Sequence, residues 1–196
     1  SHVKIIFMKR KFIFYLLAFC LSFYGCVSTN ITPSDSLLSL EKNIVIIYEN
    51  DVHCNVDGYA KVSALKNELI QENNYVAVVS SGDYIQGSSL GAISQGEYIA
   101  NLINLVDYDV LTLGNHEFDY KLSRLFELTS IIESPIVCSN FINLKENKLV
   151  FEPYKIISYE DFDIAFIGVT TPSTISSSSP IQFMDDNGNY LYSFSG

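Results

Sequence analysis

Basic residues are scarce in this 196-residue chain: Lys and Arg number 12 against 22 Asp and Glu, and the formal net charge is −10 at pH 7. Four of the basic residues (Lys4, Lys9, Arg10, Lys11) lie within the first 25 positions, where no acid occurs, so the remainder holds 8 basic against 22 acidic groups, a balance of −14. A surface of that sign repels a phosphate backbone, which excludes a nucleic-acid polymer as partner and suits divalent cations. Cysteine is sparse as well. Cys20 and Cys26 fall in the N-terminal segment, and Cys54 and Cys138 are too few and too far apart for a disulfide framework. Cys138, inside PIVCSNF, reads as a small buried hydrophobe. The apolar run at residues 12–23 (FIFYLLAFCLSF) falls short of the about 20 residues that span a bilayer. Neither G-x-S-x-G nor GxxxxGK[ST] occurs, which argues against a serine-elbow hydrolase and a P-loop enzyme. There is no internal repeat, and histidine occurs only at His2, His53 and His116.

What is present begins at the N-terminus. Met8 is followed by Lys9-Arg10-Lys11, the apolar run, and Gly25-Cys26. A basic start, a short apolar stretch and a small residue before a cleavage point describe an export signal, with Ser1–Phe7 as upstream sequence. Gly25-Cys26 resembles a bacterial lipobox, although Phe23 and Tyr24 are larger than that pattern usually holds, so Cys26 is the lipidation candidate. The expectation is export, as a periplasmic or cell-envelope lipoprotein held at the membrane by a lipid anchor or by the signal itself. Residues 27–42, polar and rich in Ser and Thr, read as a tether. Residues 43–196 read as the folded part.

Within it, NIVIIYEN (43–50), YVAVVSS (75–81) and DVLTLGN (109–115) are apolar, β-branched runs of strand length. Tyr59–Gln71 places Val62, Leu65, Leu69 and Ile70 at helical spacing, and Glu97–Val106 and Lys121–Ile132 read as further helices. Residues 141–171 alternate like a hairpin followed by a buried strand. The SSSS stretch (176–179) reads as a loop, and SFSG offers no closing element. Nearly all-apolar strands alternating with helices specify an α/β fold, a layered sheet with helices on its faces.

Three polar clusters follow the three strand runs: Asn50-Asp51-Val52-His53, Gly82-Asp83, and Gly114-Asn115-His116-Glu117-Phe118-Asp119. In open α/β sheets ligands bind beyond the carboxyl ends of strands, so these loops can converge on one site. Asp51 and His53, two apart, point to the same side if the strand continues through them. A hard carboxylate oxygen beside an imidazole nitrogen suits a borderline divalent metal, Asp83 adds a carboxylate able to bridge two ions, and Asn115 offers an amide oxygen. Gly82 and Gly114 stand where the chain must turn sharply off a strand. Gly87 reads either as a point of close approach to phosphate or as an ordinary turn.

NDVH (50–53), SSGDYIQGSS (80–89) and LTLGNHEFDY (111–120) resemble successive blocks of the calcineurin-like metallophosphoesterases, in particular their 5′-nucleotidase branch. The resemblance covers residues 43–171, and GNHEFD is its most specific string. It implies the αββα sandwich of that family. It further implies that Asp51 and His53 ligate one metal, that Asp83 bridges two, and that Asn115 ligates the second. His116 would act near the leaving group or the transferring phosphoryl, with Asp119 orienting its ring and Glu117 serving as scaffold. The implied cofactors are two divalent ions (Zn, Mn, Mg or similar), which lower the pKa of a bound water and clamp the attacking and leaving oxygens.

Two departures stand beside the resemblance. Cys54 replaces a small residue, as a soft neighbour of the metals or simply a tolerated one, and Tyr48-Glu49 differs from the family's usual lead-in. A larger one is the lack of a GHxH-like motif or any histidine after His116, which leaves the second metal with Asp83 and Asn115 only. The family's nucleotide-recognition domain is missing too. The expectation is therefore the N-terminal part of a metallophosphoesterase domain, incomplete at its C-terminus and inactive alone. Its full form would hydrolyse nucleotide monoesters. The alternatives are a 2′,3′-cyclic-nucleotide phosphodiesterase or nucleotide-sugar hydrolase of the same fold, a one-metal remnant using Asp51, His53 and Asp83, and a non-catalytic, surface-tethered binding lipoprotein.

Overall fold

The three apolar runs become neighbouring strands of one sheet. The computed structural model describes residues 4–8 and 42–195; residues 9–41, which hold the rest of the expected export signal, Cys26 and most of the expected tether, lie outside the described residues. In chain order the sheet strands are β1 (Lys4–Met8), β2 (Ile44–Glu49), β3 (Tyr75–Ser80) and β4 (Val110–Leu111), arranged β1-β2-β3-β4. β2, β3 and β4 run parallel, and β1 pairs antiparallel with β2 at the edge, Lys4 opposite Tyr48 and Met8 opposite Ile44. No element was expected at residues 4–8, which supply this strand.

Helices α1 (Asp57–Gln71), α2 (Ser89–Ser94), α3 (Glu97–Val106) and α4 (Leu122–Ile131) connect the strands. α1 and α3 cover one face of the sheet. Val45 and Ile47 of β2 and Val76 and Val78 of β3 pack there against Tyr59, Val62 and Leu69 of α1 and Ile99, Ala100, Ile103 and Val106 of α3. Each fully buried Val or Ile side chain contributes about 1.5–3 kcal/mol. Ile70, expected on the packed face of α1, is instead 49% exposed on its outer side. α2 was not expected; it is a single short segment whose Gly91 sits against the Cys54 thiol.

β4 is shorter than the apolar run 109–115. Past Leu111 one further bond to β3 remains, Thr112 N–H to Ser80 O at 2.9 Å, while on the other side Val137 N–H donates to Leu111 O at 2.9 Å and the Thr112 hydroxyl donates to Val137 O at 2.8 Å. Residues 136–137 accordingly form bridges to Leu111 and Glu152 rather than a strand.

On the face opposite the helices, β7 (Tyr154–Ser158) and β8 (Asp163–Ile167) form an antiparallel hairpin, the Tyr159 hydroxyl donating to Val76 O at 3.0 Å. β8 was expected to be buried, but its alternate residues face solvent. β5 (Phe141–Asn143) pairs antiparallel with β6 (Lys148–Leu149) and with β9 (Tyr192–Phe194). β9 comes from the tail for which no closing element was expected. Phe141 and Phe194 stack at 4.7 Å and join Phe118 and Phe183 in a second core. Half of the SSSS stretch is also structured, as helix α5 (Thr174–Ser177) followed by a 3-10 turn at Pro180–Phe183. Among the described residues no helix is long and apolar enough to cross a membrane.

Candidate metal centre

All three polar clusters leave the carboxyl ends of parallel strands on the same edge of the sheet, and they meet there. The loop after β2 runs beside the loop after β3. Asp51, His53 and Cys54 donate their backbone N–H groups to Gly82 O (3.3 Å), Asp83 O (2.9 Å) and Tyr84 O (3.2 Å). The two residues expected to share a side as a strand continuation do converge, with His53 Nε2 3.8 Å from Asp51 Oδ1. The cause is different: Asp51 (φ 54°) and His53 (φ 47°) are left-handed, so the chain curls and no strand alternation operates.

Asp83 sits at the centre. A ligand atom from each of His53, Asp83 and His116 lies within 4.8 Å of the other two, and the two imidazoles meet edge-on with centroids 4.9 Å apart. Asp83 Oδ1 accepts the His116 N–H at 2.9 Å. Burial raises the Asp83 carboxyl above its ordinary pKa; the His116 N–H opposes this, and the neighbouring Asp51 carboxyl reinforces it. One carboxylate between two imidazoles, with the Asp51 carboxyl nearby but outside that 4.8 Å group, is a donor set that suits a divalent cation, and a cation would relieve the repulsion between Asp51 and Asp83. The residues present therefore fit such an ion.

His53 Nδ1 lies 3.2 Å from both Gln86 O and Gln86 Oε1. With its hydrogen on Nδ1 donated to Gln86, the ring leaves the Nε2 lone pair free for a metal. His116 Nδ1 is likewise 2.7 Å from Asp119 Oδ2. Partial burial opposes protonation of His116, but the Asp119 bond and the charges of Asp119, Asp83 and Glu117 outweigh it and raise the imidazole above its usual value. Asn115 lies between Gly114, whose Cα faces the Asp83 carboxylate, and His116, so it too is carried beside Asp83.

The glycines explain how closely the loops approach. A Cβ on Gly82 (φ 101°) would stand 2.0 Å from Gly114 N, so the exits of β3 and β4 touch at these two residues. A Cβ on Gly87 would stand 2.2 Å from His53 O, so Gly87 lets its loop press on a candidate ligand. Cys54 is buried and donates to Ile85 O at 3.1 Å, turned away from the cluster. Cys138 is buried as expected, and both thiols are free.

Sequence reasoning missed two contributors, and neither carried a local signal. Gln86 orients His53. Ser178, 63 positions beyond Asn115, donates its hydroxyl to Asn115 O at 3.2 Å. Glu117, expected as scaffold, is fully buried and accepts backbone hydrogen bonds from both ligand loops. Beyond Asp119 a cleft of about 550 Å³ opens, lined by Lys121, Ser177–Ser179, Ile181 and Gln182.

Comparison with known proteins places the fold in a family. The family model for calcineurin-like phosphoesterases matches residues 44–189. The NAD 5′-nucleotidase of Haemophilus influenzae is 31% identical over 137 residues, covering 67% of this chain and 23% of that protein. Protein UshA of Escherichia coli is 26% identical over 174 residues, 81% of this chain and 32% of its own length. The solved structure of Haemophilus influenzae NAD nucleotidase superposes on 77% of this chain and 29% of its own, with a TM-score of 0.64 at 25% identity. The chain thus spans less than a third of the length of these relatives. With the family model covering most of its length, this chain belongs to the calcineurin-like phosphoesterases, a family of hydrolases.

Proposed function

We propose that this chain carries the first half of the metal centre of an exported phosphomonoesterase that acts on nucleotides. The observation that carries the reading is the convergence of His53, Asp83 and His116, with Asp119 holding the His116 ring. Asp51, His53 and Asp83 would hold one divalent ion; Asp83 and Asn115 would begin the site of a second. A bound divalent ion supplies Lewis-acid activation of water and neutralises phosphoryl oxygens.

The chain's own residues do the rest. Protonated His116, its charge favoured by Asp119, stands where it can stabilise a phosphoryl oxygen or give a proton to the departing alkoxide. Asp119 holds the ring through Nδ1, which leaves Nε2 free to act. The strongly acidic surface disfavours polymeric nucleic acid and leaves small phosphoesters as substrates. With only three histidines in the sequence, the second ion is thinly held, and turnover by this chain alone is low. Relatives named as nucleotidases support the substrate class. Residues 9–26 support export, with Cys26 as the lipidated residue.

The test is calorimetric titration of the chain with Mn²⁺, paired with assays of AMP, p-nitrophenyl phosphate and bis-p-nitrophenyl phosphate. The expected result is binding of one ion, lost in Asp83→Asn, with weak, EDTA-sensitive release of phosphate from the monoesters. Absence of Mn²⁺ binding would remove the metal-centre reading. Preferential cleavage of the diester would replace the monoester by a phosphodiester substrate. Mass analysis of the exported protein against Cys26→Ser tests the anchor.

A further inference from the structure

We propose that Glu117 is the positioning residue of the metal centre: its carboxylate fixes the distance between the loop that presents Asp83 and the loop that presents Asn115 and His116. The inference rests on the metal-centre reading above and extends it to a residue that touches neither metal nor substrate.

The side chain is fully buried. Oε2 accepts the N–H groups of Asp83 and Gly114, each at 2.7 Å, and Oε1 accepts those of Tyr84 at 2.8 Å and Ile85 at 3.4 Å. A buried carboxylate is costly unless its oxygens are satisfied, and here four backbone donors satisfy them. Three of these donors sit more than 30 positions before Glu117 and the fourth sits three before it, so one rigid group ties two loops that are otherwise remote in sequence. The Oε2 pair is the critical one. It sets Asp83 N and Gly114 N a fixed distance apart, and the candidate ligands are Asp83 itself and Asn115, the residue after Gly114. The contact of Asp83 Oδ1 with His116 N–H at 2.9 Å is a consequence of that spacing.

Glutamine cannot replace this arrangement. Its one carbonyl oxygen can serve one pair of donors, while its NH₂ group would face the other pair, donor against donor. Aspartate is a methylene short of bridging.

The experiment uses the whole chain with Glu117→Gln and, as a control of similar instability, Ile103→Ala, which empties a core position on α3 away from the cluster. Mn²⁺ affinity is measured by calorimetry at a temperature where both variants are folded by circular dichroism, and the visible spectrum of the Co²⁺-loaded protein is recorded. Glu117→Gln is expected to weaken Mn²⁺ binding by roughly 10- to 100-fold and to change the Co²⁺ spectrum, as loss of a group that orients ligands does elsewhere. Ile103→Ala should match the wild type in both. Equal binding by Glu117→Gln and wild type would overturn the proposal, as would equal losses in the two variants. Should Glu117→Gln not fold, the wild-type amide resonances of Asp83, Tyr84 and Gly114 decide. They should shift and exchange more slowly when Zn²⁺ is added, and unchanged signals would overturn the proposal. A wild-type chain that binds no metal removes the underlying metal-centre reading instead, and this inference with it.

Discussion

Replacing Gly114 by alanine inserts one methyl group at the tightest point of the candidate site. The new Cβ would stand 2.2 Å from Asp83 Oδ1, 2.6 Å from its Cγ and 2.9 Å from its backbone N. Gly114 has no positive φ, so no backbone strain enters and the effect is steric. Neither contact can yield cheaply. The Asp83 oxygen accepts the His116 N–H, and the Asp83 N–H is committed to Glu117. Overpacking a filled position costs about 1–3 kcal/mol, and loss of a hydrogen bond to a charged group costs about 1.5–3 kcal/mol. A combined loss of about 3 kcal/mol corresponds to a Tm lower by about 6–12 °C for a domain of this size.

Urea unfolding followed by circular dichroism measures the stability, and Mn²⁺ titration of the folded protein measures the displacement of Asp83. The control is the same chemical change at Gly58, in α1, where a Cβ meets nothing within 4 Å. There alanine should stabilise by up to ~1 kcal/mol. If Gly114→Ala unfolds at the wild-type midpoint and keeps wild-type Mn²⁺ affinity, the turn is not packed on Asp83 and the site geometry described above is wrong.

Two further substitutions probe the supports of the site. Phe183→Ala removes a fully buried ring 5.5 Å from Phe118, the residue after Glu117. It should cost about 3–5 kcal/mol in urea unfolding, and a loss below about 1 kcal/mol would show that the C-terminal segment does not brace the histidine turn. Glu49→Ala strands the Tyr108 hydroxyl, which donates to Glu49 Oε1 at 2.6 Å in the core. The expected loss is about 1–3 kcal/mol, with most of it recovered in Glu49→Gln, which keeps an acceptor; equal damage from both variants would exclude the hydrogen bond as the cause.

The parts legible in the sequence are those set by local pattern. α3 occupies Glu97–Val106 as its apolar period requires, and β2 and β3 match their β-branched runs to within a residue. The candidate ligands were legible too, because a strand end followed by Asp, His or Asn is a local signal and parallel strands place such ends on one edge. What escaped depends on distant partners. Nothing in DVLTLGN says that Pro135 and Val137 will bond Leu111 on the side away from β3. β9 exists because Phe194 finds Phe141, 53 positions earlier, and an exposed-looking SFSG cannot announce that. The same holds for Ser178 on Asn115. The lead-in Tyr48-Glu49, read as a departure from the family pattern, makes physical sense only with Tyr108 in place as the donor to Glu49.

Backbone strain is present at three candidate ligands and their neighbour Cys54: Asp51, His53, Cys54 and Asp83 all have positive φ. Such residues cost of order 1–3 kcal/mol each and persist only where their surroundings over-determine them. The bonding pattern identifies what does so. Asp83 and Tyr84 use their carbonyls to accept from His53 and Cys54, and their N–H groups to donate to Glu117. The loop after β3 is therefore bonded on both sides like a central strand, although β4 has already ended at Leu111. Glu117 stands in for the missing stretch of β4, one carboxylate supplying the acceptors that a strand's carbonyls would have supplied. The dependence then runs in one direction, from Glu117 to residues 83–85 and from these to residues 51–54. Amide hydrogen exchange reads that order: the N–H groups of Asp83, Tyr84 and Gly114 should exchange more slowly than those of Asp51, His53 and Cys54. The opposite order would mean that the Asp51–His53 loop is the anchor and that Glu117 follows it.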